Sequence, residues 1–311
     1  MMIRRLAIVG SLTVAAVALT TSPALADDLA DYLDEADRAV YSGKRLVATV
    51  WDGIERMGVI DVAQLGGMAM VGAGASHLMV GDGKVHDLES PCAAIAFAPR
   101  AETRVTHGYQ LVSAETAVRL GRAVEVMEIR EGDVLRMRLV VDVVTAAPLE
   151  TEVFDNEGNR FRYSTMVEFS VSAPSMETYE DDGEYEMMVS VEEPQVPDSA
   201  GRYQLIDAYA GPEAAQQGFY TDGLFTFSLF AVEGKADIEE LGEGGSAWTL
   251  DGFDYRRVVR PAEVWVLWNT LDSTYALVGD LPPDHLEEVL ADLPRPEQRN
   301  WFSRMWERLF G

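Results

Sequence analysis

The sequence predicts an α+β protein in which a half-open antiparallel β-barrel wraps over an N-terminal helix. A smaller antiparallel sheet with one packed helix follows it. The first observation is an amphipathic helical pattern at residues 28–41, followed by many short segments with alternating apolar residues, separated by glycines. A second alternating region begins near residue 201, and one helical pattern follows Pro282 and Pro283. A long meander after a single helix is typical of a strongly curved sheet that encloses an apolar hollow.

Residues 1–26 have the pattern of a secretory signal peptide. Arg4 and Arg5 precede an apolar run at residues 6–19, and Ala24-Leu25-Ala26 supplies a small-residue cleavage site. The run is shorter than the about 20 residues of a membrane-spanning helix, although an uncleaved N-terminal anchor is the alternative. We therefore expect an exported protein, in the periplasm or at the outer face of the bacterial cytoplasmic membrane.

The charge of the chain limits its partners. It has 25 Lys and Arg against 52 Asp and Glu, a net charge of −27. Such a field repels phosphates, so nucleic acids and anionic lipid surfaces are poor general partners. The acidic surface is either an adaptation to salt and solubility or a means of steering a basic partner. Cys92 is the single cysteine, which rules out an internal disulfide.

The first domain is predicted over residues 27–175. Its opening helix has an apolar stripe and is expected to end at Ser42-Gly43. Strands are predicted at residues 45–51, 57–63, 68–71, 77–80, 109–112, 123–129, 134–144, 149–154 and 159–169.

Residues 176–200 are predicted to be an acidic linker or a last strand, and residues 201–293 a second domain. Within the second domain, Asp222-Gly223 is a turn signal, and Phe225, Phe227 and Leu229 then share one strand face. The helix after Pro283 is the candidate cover for that face, because its apolar residues recur at helical spacing. Further strands are predicted at residues 247–250, 255–259, 263–268 and 275–279.

No motif of catalysis or cofactor binding stands out. The chain has no nucleophile elbow or phosphate loop, and its histidines lack metal-ligand spacing; they are His77, His86, His107 and His285. We expect no enzyme activity, no cofactor and no metal. A secreted hydrolase with two carboxylates is an alternative, because the 52 acidic residues allow many pairs.

Several motifs, in their order along the chain, resemble the RseB/MucB family of periplasmic sigma-E regulators. Residues 220–224, Y-T-D-G-L, followed by S-L-F at 228–230, resemble the Y-S-D-G-L…S-V-F signature of that family's C-terminal domain. V-G-D-L-P-P at 278–283 is similar to its closing V-G-E-V-P-P. The first half matches through Tyr41-Ser42-Gly43, Gly121-Arg122, Asp133, Arg136, Arg138, Asp142 and Pro148-Leu149-Glu150-Thr151. The family's W-x-x-x-L-P-x-G-F motif is not evident before Tyr203.

The resemblance implies a sensor with two domains. The first domain would be similar to the LolA/LppX-like lipoprotein carriers, with a hollow for acyl chains. The second would bind the extracytoplasmic part of a membrane anti-sigma factor, and a lipid or mislocalised lipoprotein would release this partner in an envelope stress response. The motif residues carried over as partner-binding are Tyr220, Asp222, Gly223 and Leu224, with turn geometry and core packing as the alternative role. A lipid carrier without signalling is the second function considered, and the sequence leaves a homodimer open.

Residues 294–311 form a predicted amphipathic tail helix. Its apolar half comprises Trp301, Phe302, Met305, Trp306, Leu309 and Phe310. This helix would dock on its own domain, lie in a membrane surface or bind a partner.

Overall fold

The computed structural model describes residues 25–65, 68–72, 77–81, 84–88, 94–97, 108–172, 189–190, 194–210 and 215–297. Several predictions lie outside these residues: the cleavable segment up to residue 24, Cys92, His107 and the six apolar residues of the tail. Among the helices that are described, none combines the length and the apolar character needed to cross a membrane.

The first sheet is antiparallel and has nine strands within the described residues. The chain enters it through helix α1 (Leu25–Arg38). The strands are β1 (Val40–Trp51), β2 (Ile54–Leu65), β3 (Met68–Gly72), β6 (Ala94–Phe97), β7 (Tyr109–Arg119), β8 (Arg122–Glu131), β9 (Val134–Asp142), β10 (Pro148–Phe154) and β11 (Arg160–Ser170). Their order is β6-β3-β2-β1-β11-β10-β9-β8-β7. A separate hairpin is formed by β4 (His77–Gly81) and β5 (Lys84–Leu88).

The second sheet is also antiparallel, and its strands are shorter. They are β12 (Val189–Ser190), β13 (Ser199–Ala200), β14 (Tyr203–Ala210), β15 (Gln216–Thr221), β16 (Thr226–Glu233), β17 (Ser246–Leu250), β18 (Phe253–Val259), β19 (Val264–Asn269) and β20 (Ser273–Gly279). The order is β12-β14-β15-β16-β20-β19-β18-β17, with β13 paired to β14. Two helices accompany this sheet: α2 (Ile238–Leu241) and α3 (Pro283–Asp292).

Helix α1 shows that the first sheet is curved. The helix contacts β7, at one edge of the sheet, and also β2, near the other edge. Gln64 of β2 donates a hydrogen bond from Nε2 to the carbonyl oxygen of Asp37 at 2.9 Å. A flat sheet could not place both regions against one helix, so the strands wrap around it without closing into a barrel. The predicted α+β class with an open, curved first sheet is confirmed.

The predicted end of helix α1 at Ser42-Gly43 is wrong. The helix ends at Arg38, and both residues lie in β1. A Cβ atom on Gly43 would collide with the carbonyl oxygen of Glu168, and the pairing of β1 with β11 shifts its register between Lys44 and Arg45. The glycine therefore permits a close strand approach beside a bulge, a role that the sequence does not distinguish from ending a helix.

The hydrogen bonding of the second sheet begins before residue 201, where the sequence places the start of the second domain. Strands β12 and β13 both pair with β14. Gly201, at φ +58°, lies in the two-residue turn that joins β13 to β14. Part of the segment predicted to be an acidic linker or a last strand thus contributes strands to the second sheet.

The predicted packing of the helix after Pro283 against the aromatic face of β16 is confirmed, and the same core extends into the first sheet. Phe225, Phe227 and Leu229 belong to one buried cluster with the apolar residues of α3. The same cluster includes Trp51 and Tyr109 from the first sheet. The two sheets therefore share one hydrophobic core.

Candidate functional site

Asp222 organises the turn between β15 and β16. Its Oδ1 accepts hydrogen bonds from the backbone amides of Leu224 at 3.0 Å and Phe225 at 2.8 Å. Gly223 has φ +94°, and its amide donates to Thr221 Oγ1 at 2.9 Å. A short carboxylate followed by a glycine with positive φ is the chemistry that such a turn requires. The turn predicted at Asp222-Gly223 is present.

The other carboxylate oxygen of Asp222 links the two sheets. Tyr109, at the start of β7, donates from its hydroxyl to Asp222 Oδ2 at 2.6 Å. Both side chains are buried. Burial and the adjacent Asp222 charge raise the pKa of Tyr109 well above its usual value, so the phenol keeps the proton that it donates.

The remaining motif residues differ in their exposure. Tyr220 is fully buried, stacks on Phe227 with ring centroids 4.7 Å apart, and donates to the carbonyl oxygen of Pro197 at 2.6 Å. Gly223 is buried, and Leu224 is half-buried against the core. Of the four predicted partner-binding residues, Leu224 has the most surface to offer, and the predicted contact stays a prediction.

An ion-pair network lies beside this turn and also joins the sheets. Arg136 of β9 is buried; it donates to Glu131 at 2.8 Å and to Asp284 of α3 at 2.8 Å. Arg202, in the turn before β14, binds the same Glu131 and also Glu288. Burial opposes the charge on Glu131, but the hydrogen bonds from Arg202 and Arg136 outweigh it and lower the pKa of that carboxyl group. We call this network, together with Tyr109, Tyr203, Asp222 and His285, the polar joint.

His285 lies in the centre of the polar joint. Its Nδ1 is hydrogen-bonded to the hydroxyl of Tyr203 at 2.7 Å, and its Nε2 lies 3.8 Å from Glu131 Oε2. The ring is buried, and none of the residues that the structure describes forms a hydrogen bond with Nε2. Burial, then the charges of Arg202 and Arg136, lower the pKa of His285 against the opposing effect of Asp284 and Asp222. The histidine is therefore neutral at pH 7.

This histidine makes stability depend on pH. Because the pKa of His285 is lower in the folded protein, the unfolded chain takes up its proton at a higher pH. The contribution of neutral His285 to the free energy of unfolding is complete above the ordinary histidine pKa of about 6.5, and it is lost as the pH falls below that value. We expect urea denaturation at pH 7.5 and 5.5 to show a larger loss for the wild type than for His285→Gln. Equal losses would exclude this titration, since all other groups are common to both chains.

A second set of contacts joins the sheets. Trp51, at the end of β1, packs edge-on against Trp248 of β17, with centroids 5.6 Å apart. Arg257 of β18 lies over the Trp51 ring and donates to Asp52 at 2.7 Å. Thr49 donates to the carbonyl oxygen of Pro261 at 2.8 Å. A mainly aromatic set of contacts thus holds the sheets together in addition to the polar joint.

The sequence did not identify most of the polar joint. Arg136 was part of a motif, but Tyr109 was only the first residue of a predicted strand, Glu131 lay between two predicted strands, and His285 lay within a predicted helix. The carboxylates of the joint are bonded by arginine, tyrosine or backbone amides. In the described residues, no group of three or more His, Cys, Asp and Glu side chains could hold a metal ion. The arrangement is suited to connecting two sheets.

No protein-family model matches the chain, and no curated protein sequence matches it significantly. Among solved structures, MucB is similar with 18% identity and a TM-score of 0.48, over 89% of this chain and 99% of MucB. The MucA/MucB complex of Pseudomonas aeruginosa matches with 17% identity and a TM-score of 0.45, over 87% of this chain and 99% of that chain. A LolA superfamily protein from Nitrosomonas europaea matches with 11% identity and a TM-score of 0.20, over 84% and 96%. The chain is structurally similar to MucB over most of its length, at low sequence identity.

Proposed function

We propose that this protein is an exported regulator that binds the extracytoplasmic part of a membrane anti-sigma factor and controls release of an envelope-stress sigma factor. The observation that carries the proposal is the convergence of the family-like motifs at one place. Strands β16 and β20 pair through Phe227 and Gly279, which brings the Y-T-D-G-L and V-G-D-L-P-P segments side by side. Arg136, from the motif block of the first half, reaches the same joint through Asp284.

This convergence supports a mechanism by linkage. A partner that binds one arrangement of the two sheets stabilises that arrangement. A ligand that favours another arrangement lowers the affinity for the partner, and the partner lowers the affinity for the ligand by the same factor. The polar joint connects side chains of both sheets, so a displacement of either sheet changes the contacts of the other. We propose that the opposing ligand is a lipid or lipoprotein acyl chain, which would bind in a hollow between the first sheet and α1.

The partner can be tested by capture. The full chain is immobilised and offered the extracytoplasmic segment of an anti-sigma factor encoded near its gene. We expect the wild type to retain the segment and Leu224→Ala to bind it with a Kd at least tenfold higher. Leu250→Ala should retain it as the wild type does, because Leu250 is a half-buried leucine elsewhere in the second sheet. No retention by the wild type would overturn the proposed regulatory function. Equal retention by both variants would overturn the proposed role of Leu224 in binding.

A lipid carrier without signalling is the second candidate, favoured by the curved sheet around α1. It requires bound acyl chains but no anti-sigma partner. Native mass spectrometry of the purified protein would detect acyl-chain ligands that co-purify. Co-purified acyl chains in a protein that does not retain the anti-sigma segment would favour the carrier.

A further inference from the structure

On the side of the first sheet, the acceptor nearest to His285 is already occupied. Nε2 lies 3.8 Å from Glu131 Oε2 at the end of β8, and Arg136 of β9 donates to that same oxygen at 2.8 Å. Tyr109 of β7 donates its hydroxyl hydrogen to Asp222, beside the ring. The histidine thus faces the first sheet without an acceptor of its own among the described residues.

The groups on the side of the second sheet are occupied as well. The hydroxyl of Tyr203 in β14 is bonded to Nδ1, and Asp222 Oδ2, 3.8 Å from Nδ1, accepts from Tyr109. On α3 itself, Asp284 Oδ2 lies 3.9 Å from Nε2 and accepts from Arg136. The remaining charged groups of the joint pair with each other, and they are Arg202 and Glu288.

Uptake of a proton by His285 would change these contacts. A histidinium ion carries a hydrogen on both ring nitrogens, and a buried charged N–H group without an acceptor is costly. To reach the about 2.8 Å of a charge-assisted hydrogen bond, Nε2 would have to move about 1 Å toward Glu131 Oε2 or Asp284 Oδ2. Both oxygens would then be shared with Arg136, the buried cation that connects β9 to α3.

The unbonded oxygen of Asp284 does not remove this conflict. Oδ1 is buried, and none of the described residues donates a hydrogen bond to it. Turning the carboxylate so that Oδ1 meets Nε2 would move Oδ2 away from Arg136. Either response therefore changes how α3 is held against the first sheet.

We propose that the polar joint is a pH-sensitive contact, in which proton uptake by His285 favours a second arrangement of the two folded sheets and weakens binding of the partner. The partner in this statement rests on the proposed function. Each sheet has its own strand pairing and a buried cluster beyond the shared core, so the joint can change without either sheet unfolding. Among the groups of the joint, histidine is the one whose ordinary pKa lies between pH 5 and 8.

The sign of the effect follows from linkage. Burial and the charges of Arg202 and Arg136 lower the pKa of His285 in the present arrangement, which therefore binds the proton less tightly than one that exposes the ring. The present arrangement is fully favoured above the ordinary pKa of about 6.5 and loses stability below it. At pH 5.5 an exposed histidine is about ten times more often protonated than neutral, so the equilibrium shifts by at most about tenfold.

The arrangement can be measured without any partner. Spin labels are attached to Val144→Cys, in the turn after β9, and Leu271→Cys, in the turn after β19, in a full chain that carries Cys92→Ser. Both labelled positions are exposed. Electron–electron distance measurements on this chain should show a second distance population at pH 5.5 that is absent at pH 7.5. The same chain with His285→Gln should show one population at both pH values.

Three outcomes would overturn the pH-sensitive contact. They are equal distances at both pH values, the same change in the His285→Gln chain, and loss of the strand signal in circular dichroism at pH 5.5. Asp280 and Glu287, whose pKa values are raised by burial, are common to both chains. NMR titration of the His285 ring needs no variant, and its midpoint should coincide with that of the distance change. Midpoints a pH unit apart would also overturn the proposal.

The effect on the partner is tested separately. The Kd for the anti-sigma segment should rise by up to about tenfold between pH 7.5 and 5.5 for the wild type, and by less for His285→Gln. His86→Gln is the matched control, because His86 lies in β5, outside the joint, and this variant should behave as the wild type does. Equal rises for the wild type and His285→Gln would overturn the regulation. A segment that is retained at neither pH would overturn the proposed function, whereas the distance measurement would still decide whether the joint responds to pH.

Discussion

Replacing Asp222 by alanine is expected to lower the free energy of unfolding by about 2–4 kcal/mol. The carboxylate accepts the amides of Leu224 and Phe225 and the hydroxyl of Tyr109, and all three donors would lose their acceptor. Because the site is buried, water would not replace the lost bonds fully. Urea denaturation of the variant and the wild type measures the difference.

Asp155 provides the matched control for this prediction. It accepts the amides of Glu157 at 2.9 Å and Asn159 at 2.8 Å in an exposed hairpin turn. Asp155→Ala should cost about 1 kcal/mol or less, since water can take over these bonds. Similar losses for both substitutions would mean that Asp222 acts only as a turn residue and that its bond to Tyr109 adds no stability.

Replacing Arg136 by alanine is expected to cost about 3–5 kcal/mol, because the change leaves Glu131 and Asp284 beside each other without the buried cation between them. The pKa of His285 should rise in this variant, since Arg136 is one of the charges that lower it. Denaturation measures the first effect, and NMR titration of the histidine ring measures the second.

The control for Arg136 is Arg160→Ala. Arg160 binds Glu152 at 2.8 Å, but half of its side chain is exposed. An exposed pair of this kind contributes at most about 1 kcal/mol. If removing Arg136 costs no more than removing Arg160, the polar joint does not hold the sheets together.

The fold could be predicted because most of its signals are local. Alternation of apolar residues and the turn residues between strands specify each hairpin by itself, and neighbouring strands in this chain mostly pair with each other. Gly43 was misinterpreted because a glycine after a helical pattern is equally typical of a helix end and of a close approach between strands.

The polar joint could be predicted only in part. The turn chemistry of Asp222-Gly223 is visible in the sequence, but the bond from Tyr109 to Asp222 joins residues that are 113 positions apart. The bond between Arg136 and Asp284 spans 148 positions. Strand alternation tells which face of a strand is buried, but not which element lies beyond the end of that strand.

The position of α3 has a consequence for the synthesis of the protein. This helix is the last described element of the chain, and it supplies Asp284 and His285 to the joint and Leu286 to the core. The contacts of α3 with the joint and the core therefore become available only after residues 283–292 have been made. A chain that stopped before residue 283 would leave the buried aromatic residues of β16 exposed to proteases and to aggregation, so synthesis of α3 is needed to protect this face.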